Sequence, residues 1–219
     1  MKASPTIWLA GLALAVALSG CGLIDFAVEK GVGTVTPPAM SKPVHSLAGQ
    51  RVVVLAEAAP GLAPEGAPLA ALRVAEAVAK ELSDRRAAAE IVNPRDVTLQ
   101  AQRDPDFNRK SVAEVGALFK ADAVVYLVIQ AYAVTGAAEA ESYTGYVSTA
   151  VRVVDVKSKE QVWPPMNQVH FLEARSTVGI KADSLRQAEK VLLAGLARKV
   201  GMLFVPYNLE DQPLAPEVR

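Results

Sequence analysis

The chain has 219 residues, with 23 Lys+Arg balanced by 23 Asp+Glu and 51% hydrophobic residues. That length allows one substantial domain plus tails, and the charge balance argues against a nucleic-acid partner, which would need a clustered basic face to neutralise phosphates. A single cysteine excludes an intrachain disulfide, and two histidines leave little from which to build an imidazole metal site.

At the N-terminus, Met1-Lys2-Ala3-Ser4 is short and basic, and residues 7–18 form an apolar run of twelve. The run falls short of the ~20 residues that a membrane-spanning helix needs, and it matches the hydrophobic region of a signal peptide. It ends in Leu18-Ser19-Gly20-Cys21, which resembles the lipobox of bacterial lipoproteins. An ordinary secretory signal followed by a chance cysteine is the alternative. The resemblance implies cleavage between Gly20 and Cys21 and lipidation of Cys21 by a diacylglycerol and an N-acyl chain such as palmitate. Two or more acyl chains anchor stably, whereas one binds reversibly. Removal of residues 1–20 leaves 199 of the 219, carrying 22 Lys+Arg against 23 Asp+Glu. With Cys21 consumed, thiolate metal sites and cysteine nucleophiles are excluded as well. Gly22 stands where the enterobacterial sorting pattern places Asp to hold lipoproteins at the inner membrane. By that analogy the chain faces the periplasm from the outer membrane.

Residues 21–50 read as the lipidated N-terminus and a tether. Leu23, Ile24, Phe26 and Val28 give way to Gly31, Gly33, Pro37, Pro38 and Pro43, which prevent a long helix. An α+β domain is predicted over 51–204. Its first strand is Arg51-Val52-Val53-Val54-Leu55-Ala56. A helix over 69–86 places Leu72, Ala75, Ala79 and Leu82 on one stripe. A second strand over 89–92 stops at Asn93-Pro94. Ser111 and Glu114 form a capping box for a short helix that buries Val112, Val115, Leu118 and Phe119. Strands follow over 123–134, 143–156 and 169–177, with a short arm at 161–163 and a turn at 155–160. Direct succession of strands implies antiparallel neighbours. A last helix over 183–203 turns Leu185, Ala188, Leu192, Leu196 and Leu203 inward, and Pro206, Pro213 and Pro216 punctuate a loose tail over 205–219. The fold class is therefore α+β: a single domain whose mixed sheet of about five strands ends in an antiparallel meander, packed by about three helices.

Several residues carry a further likeness. The opening Val-Val-Val-Leu strand, the Ala/Leu-rich helix, the run Val115-Gly116-Ala117-Leu118-Phe119-Lys120-Ala121-Asp122-Ala123-Val124-Val125 and the turn leading to Trp163 follow one another in order. Together they resemble the periplasmic domains of the curli-secretion lipoprotein, the N-terminal domain of the Tol-system propeller protein, and the outer-membrane lipoprotein activators of cell-wall synthases. Residues 135–142 are too short for a membrane-inserting hairpin, and no propeller repeats follow. Gly116 has a local reading as a close helix–sheet contact, Asp122 as an acceptor for backbone donors, and Trp163 as a filler of the sheet edge.

No complete catalytic constellation stands out. His45 lies in the tether and His170 in a strand, without companions at metal-ligand spacing. Asp104-Pro105-Asp106 with Asn108 reads as a solvated turn, because it lacks the glycine and distal glutamate of a calcium loop. Glu139 and Glu141 sit in a short loop that offers no burial to raise a carboxyl pKa. Lys181, Arg186, Lys190, Arg198 and Lys199 make the last helix basic, diluted by Asp183 and Glu189. Tyr132, Tyr143 and Tyr146 cluster along the paired strands; core packing is the default, and if exposed they form a partner surface. The expectation is a non-enzymatic lipoprotein of the cell envelope with no metal or cofactor, held to the membrane by its lipid and docking on an envelope protein in assembly, secretion or cell-wall maintenance. Two alternatives stand beside it: an oligomeric secretion component of the curli-lipoprotein type, and an envelope hydrolase or small-ligand binder. The sequence leaves the oligomeric state open.

Overall fold

The structure, a computed structural model, describes residues 40–61, 67–137 and 142–208. In chain order the elements are β1 (Leu47–Ala58), α1 (Ala67–Asp84), β2 (Ala88–Ile91), α2 (Pro94–Arg103), a single 3-10 turn (Phe107–Arg109), α3 (Val112–Leu118), β3 (Ala123–Ala137), β4 (Ser142–Asp155), β5 (Gln161–Trp163), β6 (His170–Lys181) and α4 (Leu185–Phe204).

One mixed sheet runs in the order β2-β1-β3-β4, with β5 and β6 sharing the outer edge of β4. β1 lies parallel to both β2 and β3. β4 is antiparallel to β3, β5 and β6. Six strands thus fill five positions, and the meander closes on β4 from one side.

Helices cover both faces. On the first, α1 and α4 bury Val74, Val78, Leu82, Leu192, Leu196 and Val200 against Val52, Val54, Val125, Leu127, Val151 and Val153. On the second, α2, the 3-10 turn and α3 contribute Val97, Phe107 and Val115 against Val53, Leu55, Val124 and Tyr126. β1 and β3 are apolar on both sides because both sides are covered, as parallel strands require.

Local chemistry sets the boundaries. The Ser111–Glu114 capping box forms as the sequence predicts: Ser111 Oγ accepts from the Glu114 N–H, and Glu114 Oε2 accepts from the Ser111 N–H. Those donors hold the Glu114 carboxyl below the ordinary glutamate range, the Ser111 backbone N–H contributing most. α1 and α3 end alike. Arg86 and Lys120 adopt left-handed backbone, with φ of 53° and 54°. In each helix the next amide reaches back, Ala87 N–H to Leu82 O and Ala121 N–H to Gly116 O, the six-to-one bond of a Schellman ending. Asp122 Oδ2 accepts from the Arg51 N–H at 2.7 Å, and the Asp122 N–H returns to Arg51 O, so this residue locks β3 onto β1.

The structure departs from the expectation at four points. Helix α2 was not foreseen; Asn93 is its N-cap, accepting from the Arg95 N–H, and Pro94 occupies its first turn. β1 starts at Leu47 rather than Arg51; Leu47 is fully buried, and Gly49 takes a φ of +77° where the pairing with β2 shifts register. Val44 and His45 N–H groups bond Leu203 O, tying the segment before β1 to the end of α4. Leu118 and Leu185, expected inward, are exposed at helix ends.

Candidate docking face

The second helical layer packs on β1, β3 and β4. Towards β6 and the far half of the β3–β4 hairpin the sheet is left open. The hairpin arms are long, and β1 pairs only as far as Ile129. Beyond that point the sheet has three strands, backed by α4 on the first face alone. Phe171 is 61% exposed on the open side, near Val162 and Val169, also exposed. Tyr146 lies on the same side, its hydroxyl 3.1 Å from Glu173 Oε2.

A polar group borders this face where the helical cover ends. The Tyr126 hydroxyl donates to Glu57 Oε2, and the Arg152 guanidinium lies 4.5 Å from the Tyr126 ring centroid, a cation–π contact. Burial, reinforced by the Glu57 carboxylate, pushes the Tyr126 phenol up to about 12. Arg152 Nε is buried and has no hydrogen-bond acceptor.

A β-bulge separates two tyrosines that share parity. Ile129 pairs with Thr149 and Ala131 with Ser148, so Gln130 is an extra residue. Thr149, fully buried, donates its hydroxyl to Val128 O beside the bulge. After the shift Tyr132 turns to the α1/α4 side, opposite to Tyr126. Its hydroxyl donates to Glu189 Oε1, and Glu189 accepts from Arg73 Nη1, so β3, α1 and α4 meet at one carboxylate only 7% exposed. Desolvation and that carboxylate raise the Tyr132 phenol above its ordinary value.

The three tyrosines expected as a partner surface therefore do not share one. Tyr132 faces Glu189, Tyr143 is 3% exposed beneath α4, and Tyr146 alone lies on the open side. Gly20 and Cys21, together with Glu139 and Glu141, lie outside the described residues. His170 packs against Trp163 at 5.2 Å between ring centroids, and Trp163 meets Phe204 edge-on, so both fill the sheet edge. The Trp163–Pro164 peptide is cis. His45 is lowered by burial. Asp104 and Asp106 form a turn bridged to Lys110 and Arg109. No group of three or more His, Cys, Asp or Glu side chains suited to a metal ion occurs among the described residues. The exposed Phe171 was missed because its strand, read alone, looks like any edge; only the missing helical cover distinguishes it.

At the C-terminal end of β1 a cleft of about 320 Å³ opens between α1 and α2. Its polar side chains among the described residues are Glu57, Thr98 and Asn108, and Glu57 is already engaged by Tyr126.

No family model matches the chain, and no curated protein is similar to it in sequence. The chain is similar to several solved structures at low identity. Lipoprotein GNA1162 from Neisseria meningitidis is 15% identical over 69% of this chain and 98% of that one, with a TM-score of 0.42. The PelC dodecamer from Paraburkholderia phytofirmans is 12% identical over 76% of this chain and 96% of that one, at 0.41. Hypothetical protein CT253 from Chlamydia trachomatis is 15% identical over 71% and 98%, at 0.38.

Proposed function

We propose that the chain is a lipid-anchored, periplasm-facing envelope protein that acts by docking rather than catalysis, as an accessory component in assembly, secretion or cell-wall maintenance. The single observation carrying this reading is Leu18-Ser19-Gly20-Cys21 at the end of the apolar N-terminal run. The open sheet face supports the docking half of the reading, because an exposed aromatic such as Phe171 on a face that also carries Arg152 is the kind of anchor that protein interfaces use. Cys21→Ala should release the protein from membranes into the soluble envelope fraction. Retention of that variant in the membrane pellet overturns the anchor.

The second reading, an oligomeric secretion component, places copies of the chain against the same open face. Size measurement of the detergent-extracted protein separates the two: a discrete ring-sized species favours the oligomer, and a monomer eliminates it.

A further inference from the structure

The charges of α4 are sorted by direction. Its only acidic residue, Glu189, is turned inward to Arg73 and Tyr132. Every charge left on the outer surface of the helix proper is therefore positive, and the exposed Asp183 stands just before its N-cap. Arg186 and Lys190 are exposed; Lys199 is partly so, and its ammonium donates to Glu173 O at 2.7 Å. Among them stand Leu185 and Val191, 50% and 51% exposed. Glu173, on the adjoining edge of β6, directs its carboxylate to Tyr146 on the opposite side of the sheet.

The segment that joins the domain to the N-terminal region arrives at the C-terminal end of this helix. Met40 pairs with Asn208, and the Ser41 N–H bonds Tyr207 O. Lys42 and Val44 line a shallow cleft with Lys199 and Met202. The approach to the domain thus extends the same basic, partly apolar surface.

We infer that this face of α4, with Lys42, rests on an anionic lipid surface. Lysine and arginine on long stems reach the headgroups while neighbouring apolar side chains enter the headgroup boundary. Each such cation adds a modest attraction that decays within a Debye length, so the contact is weak alone. It gains force when a leash holds the domain nearby. The nineteen residue-to-residue steps from Cys21 to Met40 span at most about 65 Å. The place of this contact in the cell rests on the anchoring proposed above, but the contact itself needs no acyl group.

The test uses residues 21–219 with Cys21→Ser, sedimented with vesicles of phosphatidylcholine alone or of equimolar phosphatidylcholine and phosphatidylglycerol. The chain should bind the anionic vesicles, release them as salt rises, and ignore the neutral ones. Lys42→Glu, Arg186→Glu and Lys190→Glu combined should weaken binding at least tenfold while the circular dichroism spectrum is unchanged. The same charge change on the opposite side, Arg103→Glu, Lys120→Glu and Lys157→Glu, should leave binding within twofold. Equal sedimentation with both vesicle types, or equal loss in both triple variants, overturns the inference. Because this chain carries no lipid, its failure is independent of the Cys21→Ala result.

Discussion

Gly116 shows how much one missing side chain can position. A Cβ there would meet Val124 Cγ2 and Val156 Cγ2, each at 2.6 Å, so α3 sits on the sheet only because the residue is glycine. Gly116→Ala should lower stability by about 1–3 kcal/mol, read from the urea midpoint, as overpacked cores do. Gly195 offers the contrast: its nearest neighbour would be Ala174 Cβ at 3.9 Å. There alanine should raise stability by up to about 1 kcal/mol through helix propensity alone. Tyr126 yields a pH prediction. Its folded pKa, about 12, lies above the ordinary 10.0, so the folded state holds the phenolic proton more tightly than the unfolded chain. The stability linked to it is complete below pH 10 and is lost as pH rises towards the folded value. Tyr126→Phe should flatten the fall in thermal midpoint across that alkaline window; an unaltered slope counts against the assignment.

Among the elements, α1, α4 and β3 are joined by one carboxylate. Arg73→Met strands Glu189 without its cation and should cost about 3 kcal/mol, since breaking a buried pair leaves an uncompensated charge. Adding Glu189→Leu and Tyr132→Phe should recover most of that loss, because the remaining side chains then pack without a buried charge. A triple variant no more stable than Arg73→Met sinks this account. Signals confined to neighbouring residues were legible beforehand, the Ser111–Glu114 box and the hairpin after Asp155 among them; for Asp122 and Gly116 only the kind of contact was legible, not the partners Arg51 and Val156. What escaped the sequence has a physical reason in each case. Asn93-Pro94 ends a strand and begins a helix with the same two residues. Gly49 marks a register shift within β1, although a glycine before a β-branched run also reads as a boundary. Gln130 inverts the parity of β3, so no alternation count could place Tyr126 and Tyr132 on opposite faces. Glu189 finds Arg73 at a separation of 116 residues, which no local pattern encodes.

At the scale of the whole molecule the sheet is covered unequally, and the two helical layers differ in kind. α4 backs the far half of the hairpin and carries exposed Arg186 and Lys190, whereas the α2/α3 layer stops at Tyr126 and Arg152. The molecule therefore has a basic side, a helical side and a bare-strand side. On the proposed contact of α4 with lipid, the uncovered strands would point away from the bilayer and stay open to another protein.

The Met40–Asn208 bridge also bears on how the protein is handled in the laboratory. Because the first and last described residues are neighbours, a reporter fused directly after Asn208 would crowd the cleft lined by Lys42 and Lys199. A short linker could instead join the two ends, with the chain reopened in the exposed turn near Ser158, leaving both cores uncut.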